Sequence, residues 1–81
     1  MTVNNDRTRY VVGERIRMAR EARGWTQDSL AEAMGISDRQ TISTIENGDR
    51  KVGAEEIVRF IAVLGQPLAY FTDPDLVVEE N

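Results

Sequence analysis

The sequence predicts an all-α fold, a compact bundle of five short helices, and three features carry that expectation. Apolar residues recur at the three- and four-residue intervals of a helix face. No segment alternates apolar and polar residues as a half-buried strand does. Glycines or capping residues separate one apolar stripe from the next. No internal repeat extends the pattern. A chain of 81 residues reads as one domain, and a core of that size buries only about 60–65% of the unfolded surface, so the helices must pack closely.

Residues 1–7 are polar and aperiodic and read as a flexible N-terminal segment. From Thr8 to Arg23 the residues Val12, Ile16, Ala19 and Ala22 fall at helical spacing, with Glu14, Arg17 and Glu21 left to water. Gly24 can end this first helix in the left-handed conformation, and Thr26 can cap the second. The second helix runs from Gln27 to Met34 and buries Leu30, Ala31 and Met34. Gly35 stops it, Ile36 turns back towards the core, and Ser37 with Gln40 spells a capping box for the third helix. That helix carries Ile42 and Ile45 inward and ends at Asn47-Gly48, two residue types that tolerate positive φ. After a loop over 49–53, Ile57, Phe60, Ile61 and Leu64 mark a fourth helix, which Gly65 ends. Pro67 opens a final turn in which Leu68, Tyr70 and Phe71 can close the core. The domain therefore spans 8–72, with an acidic C-terminal tail at 73–81.

Composition removes most enzymes. The chain has no cysteine and no histidine, so thiolate metal sites, cysteine nucleophiles and the commonest general base are all missing. Its carboxylates fall mostly on expected solvent faces and no serine lies beside a plausible base, so neither catalysis nor a cofactor is expected. With 41% apolar and 30% charged residues the balance suits a globular domain. No run approaches the ~20 apolar residues of a spanning helix, and Met1 to Tyr10 is too polar for a secretory signal. A cytoplasmic location without membrane contact is the expectation. The net charge of −4 speaks against nucleic acid until its distribution is read: ten basic and ten acidic residues occupy 1–71, and Asp73, Asp75, Glu79 and Glu80 supply the whole excess.

Two short helices joined by a glycine-containing turn, the second with a polar outer face of Arg39, Gln40, Ser43 and Thr44, make the helix-turn-helix layout that enters the major groove of DNA. The segments Trp25-Thr26-Gln27, Leu30-Ala31, Gly35-Ile36-Ser37, Thr41-Ile42-Ser43 and Ile45-Glu46-Asn47-Gly48 resemble the phage repressor and Cro family, also called the XRE family. The resemblance covers roughly Val12 to Phe71 and is most specific from Ile42 to Gly48. It implies a five-helix bundle of the lambda-repressor-like type that binds operator DNA as a dimer to regulate transcription. One departure stands out: Gly35 and Gly48 have 12 residues between them, one more than is usual in the family. Counting back from Glu46 places Gln40 and Arg39 at base-reading positions and leaves Asp38 as the extra residue. The run Asp38-Arg39-Gln40-Thr41 is similar to a branch in which this domain precedes a zinc metallopeptidase domain, which makes a fragment of such a protein an alternative.

Side-chain chemistry assigns the roles. A guanidinium such as that of Arg39 can pair with guanine O6 and N7, and the Gln40 carboxamide with adenine N6 and N7; the alternative for both is a solvated helix face. Thr41, Ser43 and Thr44 offer hydroxyls or methyls to bases, or serve only as surface. Asp38 fits a structural place at the helix N-terminus, where the dipole stabilises a carboxylate. Gln27 at the start of the second helix can hold a phosphate, as can Asn47, Arg50 and Lys51 just past the third, where the family often touches the DNA backbone. The resemblance further implies an Arg20–Glu46 ion pair between the first and third helices. Trp25 reads as core. Leu68 and Tyr70 are the expected exposed apolar residues of a dimer interface, with Leu76 to Val78 as an extension. The expected function is sequence-specific DNA binding by a transcriptional regulator, most simply a repressor acting as a homodimer on a near-palindromic operator. The alternative is an antitoxin-like or regulatory protein-interaction module whose C-terminal tail docks a protein partner.

Overall fold

The computed structural model describes residues 5–76, with side chains from residue 7. Five helices follow in order: α1 (Asn5–Ala22), α2 (Gln27–Met34), α3 (Arg39–Glu46), α4 (Ala54–Leu64) and α5 (Leu68–Thr72). Among the described residues there is no strand. α1 packs against α3, α4 and α5, and α2 packs against α3 and α4, around one shared core that Ile36 of the turn between α2 and α3 also touches. Phe60, Phe71, Ile16, Leu30, Ile42 and Ile45 fill the centre of that core.

Local chemistry explains most boundaries. The Thr26 side chain accepts from the Ser29 amide (3.0 Å) and opens α2, and Gly35 closes it with φ +73°, the region glycine enters without steric penalty. Four boundary or facing expectations need correction. α1 starts at Asn5, so residues 5–7 belong to the helix and not to the flexible segment expected over 1–7; residues 1–4 lie outside those described. Ala22 faces solvent because the last turn of α1 runs past the core. The cap of α3 is Asp38, whose Oδ1 accepts from the Gln40 amide (2.9 Å), in place of the Ser37–Gln40 box. Asn47 keeps a right-handed φ of −80°, and Gly48, at +78°, alone makes the left-handed step.

One close approach sets the geometry of the whole joint between α1 and α3. Gly13 lies in mid-helix against the end of α3, where an added Cβ would overlap the Ile45 carbonyl oxygen. A glycine there costs about 0.5–1 kcal/mol in helix propensity, and in return the two backbones meet almost directly.

Candidate nucleic-acid interface

The interface is built outward from a buried ion pair. Arg20 on α1 donates through Nε to Glu46 Oε2 (2.7 Å) and through Nη2 to Oε1 (3.0 Å), a two-bond fork that fixes the carboxylate at the end of α3. The two side chains are only 10% and 2% exposed. Glu46 raises the Arg20 pKa above its ordinary value chiefly by accepting these hydrogen bonds, against the opposing effect of burial. Arg20 Nη1 also donates to the Trp25 carbonyl (2.7 Å), so α1, the entry to α2 and the end of α3 meet at one guanidinium. The ion pair implied by family resemblance is therefore present in the fold.

Gln27 joins the same network. Its Nε2 donates to Glu46 Oε1 (3.1 Å), so the amide nitrogen expected at a phosphate is engaged within the fold, while Thr26 caps the Ser29 amide at the start of α2. Arg50, also expected at a phosphate, forks onto Glu56 at 3.1 and 2.8 Å and bonds the Lys51 carbonyl (3.2 Å). The Arg50 hydrogen bond holds the Glu56 carboxyl below the usual glutamate range, helped by the Gly53 amide and opposed by burial. Lys51 and Asn47 stay exposed beside α3.

On α3 itself the outer face divides. Arg39 and Gln40 are exposed at its first turn, whereas Thr41, Ser43 and Thr44 are half-buried. The Thr44 hydroxyl donates to the Gln40 carbonyl (2.8 Å), so its proton is committed to its own helix. Arg39 lies 3.8 Å from Asp28 on α2, with both side chains about two-thirds exposed (67% and 70%), which is a loose surface pair. The exposed side chains of this face are therefore Arg39 and Gln40, with Asn47 and Lys51 exposed beside it.

The expected dimer residues separate as well. Leu68 is 52% exposed and Tyr70 only 8%, because the Tyr70 ring packs edge-on against Phe71 and near the Arg15 guanidinium. Tyr70 is thus part of the monomer core and Leu68 is not, the reverse of what a seal by both or an interface by both requires. Trp25 is half-buried against the core, with the Arg23 guanidinium 5.0 Å from its ring.

Two residues of consequence escaped the sequence reading. Arg15 is buried and donates to the carbonyls of Tyr70 (2.7 Å) and Leu76 (3.2 Å), fastening the end of the described chain to α1. Its place at the three- and four-residue spacing of Val12, Ile16 and Ala19 was the available signal. For Gly13 the signal was a lone glycine inside a helical pattern. Among the described residues no cluster of acidic side chains could hold a metal ion, and no helix is long and apolar enough to cross a membrane.

With this geometry in place, comparison with known proteins identifies the class. A helix-turn-helix family model matches residues 16–71. The chain belongs to that family and carries a helix-turn-helix domain of the XRE, Cro/C1-like type. It is also 37% identical over 60 residues to an uncharacterized HTH-type transcriptional regulator of Sinorhizobium medicae (strain WSM419). The same identity over the same length relates it to one of Rhizobium meliloti (strain 1021). Each match covers 74% of this chain, and the chain spans 42% of each relative.

Proposed function

We propose that this domain binds DNA in a sequence-specific way for a transcriptional regulator, most simply a repressor, by placing the first turn of α3 in the major groove. The observation that carries this reading is the pairing of exposed Arg39 and Gln40 with a buried Arg20–Glu46 fork that fixes the helix presenting them. A guanidinium and a carboxamide side by side suit a guanine and an adenine. Lys51, Asn47 and the amides opening α2 serve as backbone contacts that set register, while Thr41 and Ser43 add shorter reach towards bases.

One short helix reads few base pairs, so useful specificity calls for two copies. The supporting surface is the exposed apolar pair Val58 and Leu68 on α4 and α5, without Tyr70. A two-fold pair would read a near-palindrome with half-sites about 34–36 Å apart. Because the two relatives are longer than this chain, a module within a larger regulator is the second reading, and any protein partner of the tail belongs to it.

Selection of bound sequences from a random duplex pool, followed by titration of the winning site, tests the proposal. Arg39→Ala and Gln40→Ala are each expected to weaken that site by about 1–3 kcal/mol while leaving scrambled DNA nearly unaffected. No enriched sequence, or equal losses on both DNAs, would overturn base reading; one protein per full site with no gain from the second half-site would overturn the pair.

A further inference from the structure

We propose that Tyr10, a residue of α1 outside the helix-turn-helix itself, donates its phenol hydroxyl to a phosphate of bound DNA, next to the backbone contacts of Asn47 and Lys51. The inference rests on the DNA-binding reading above and brings α1 into the interface. Tyr10 is an aromatic residue left out of the core, with 57% of its surface open. It is nevertheless held in place. Its ring lies over Gly48, where an added Cβ would overlap the ring edge. Gly48 is buried and sits in the left-handed region at φ +78°, so both the backbone and the ring require glycine there.

Neighbouring contacts set the position of the ring. Gly13, one turn further along α1, meets the carbonyl oxygens of Ile45 and Glu46, and Tyr10 covers the point where α3 gives way to its loop, between exposed Asn47 and exposed Asp49. Most nearby guanidinium groups are committed to the fold. Arg15, Arg23 and Arg59 donate to the carbonyls of Tyr70, Leu64 and Met34, while Arg20 and Arg50 fork onto carboxylates. Backbone contact past the end of α3 therefore falls to Lys51 and to neutral donors. Tyrosine hydroxyls are among the groups that meet DNA phosphates, and no described group bonds the hydroxyl of Tyr10. The Asp49 carboxylate weakens the local attraction for a phosphate, so a directed hydrogen bond is what can hold one there. A ring already fixed over Gly48 also loses little rotamer freedom on binding.

Tyr10→Phe in the full chain keeps the ring on Gly48 and removes only the hydroxyl, so the unfolding midpoint should not move. On the duplex selected by the parent chain and on scrambled DNA alike, the variant should bind about three- to tenfold more weakly, the worth of one net hydrogen bond. The preference between the two DNAs should be kept. The salt slope should also stay at the parent value, because a neutral donor releases no counterion, whereas Lys51→Ala should lower it by about one. Ethylation of single phosphates in the selected duplex reads the contact directly: one phosphate whose ethylation weakens the parent chain should have no effect on Tyr10→Phe. Parent-like affinity for Tyr10→Phe, with Arg39→Ala still weakened on the selected site, overturns the Tyr10 contact and leaves the DNA-binding reading standing. An ethylation pattern identical in the two chains overturns the contact whatever the affinity, since a purely structural role would leave every phosphate contact in place. A parent chain that binds no duplex overturns both.

Discussion

Two arginine–carboxylate forks of nearly equal geometry hold two different joints. Arg20–Glu46 ties α1 to the end of α3 with contacts of 2.7 and 3.0 Å, and Arg50–Glu56 ties the loop after α3 to the start of α4 with contacts of 3.1 and 2.8 Å. Their surroundings differ. The first pair is almost sealed from solvent, at 10% and 2% exposure, while the second is open at 39% and 25%. Water screens the second pair and can replace either partner, whereas burial shields the first from such replacement. The lesson is that hydrogen-bond geometry does not rank these contacts, whereas burial does. The buried fork orients α3 and the open one holds the loop that follows it.

The largest expected effect follows from breaking the buried fork. Arg20→Ala or Glu46→Ala should each cost on the order of 3–5 kcal/mol in denaturant unfolding, because one desolvated charge is left unpaired. Arg20→Ala also strips the Trp25 carbonyl of its donor, and Glu46→Ala strips Gln27 of its acceptor. A double-mutant cycle with no coupling between positions 20 and 46 would show that the contact is geometric only. Next comes the backbone contact beside it: Gly13→Ala places a methyl against the Ile45 carbonyl, which cannot give as a side-chain tip can. A loss of about 1–3 kcal/mol is expected, as for an overpacked core, despite alanine's better helix propensity. A stabilised Gly13→Ala variant would mean that α1 and α3 are free to separate.

The same contrast explains how far the sequence could be read. Elements fixed by local rules were legible: Thr26 at the start of α2, Gly35 at its end, and the stripe Ile57–Phe60–Ile61–Leu64 depend on neighbours within a turn or two. The Arg20–Glu46 fork joins residues 26 apart and was visible only through the wording shared with a family. What stayed hidden were competitions between partners. Gln27 has both a helix terminus and Glu46 within reach, Arg50 has both solvent and Glu56, and in each case the intramolecular carboxylate takes the donor. Tyr70 against Leu68 is a similar case, since a five-residue helix has room to bury one face only and spacing alone does not choose it. Ser37 and Asp38 are adjacent residues whose side chains can both cap a helix, and it is Asp38 that accepts the Gln40 amide.

A cap at the exposed end of α3 should lie between the two forks in effect. Asp38→Ala removes the acceptor of the Gln40 amide and is expected to cost about 0.5–2 kcal/mol, with Ser37→Ala nearly neutral. Hydrogen exchange at the Gln40 amide should accelerate in the first variant and not in the second. Equal responses would return the cap to Ser37.

The smallest effect belongs to the open fork, and pH gives it a signature. Glu56 titrates below the usual glutamate range in the folded chain because Arg50 bonds its charged form. A carboxyl whose folded pKa is depressed stabilises the fold above its unfolded pKa, and that contribution disappears as pH falls through the folded value. Arg50→Ala should therefore cost no more than about 1 kcal/mol at neutral pH, and the difference from the parent chain should shrink as the solution is acidified past the Glu56 titration. Added salt at neutral pH should shrink it too, since the pair is reached by solvent. Unfolding midpoints of the two chains across the acidic range decide the matter: a gap that persists unchanged at low pH would show that Arg50 acts through packing and its bond to the Lys51 carbonyl, and not through the charge on Glu56.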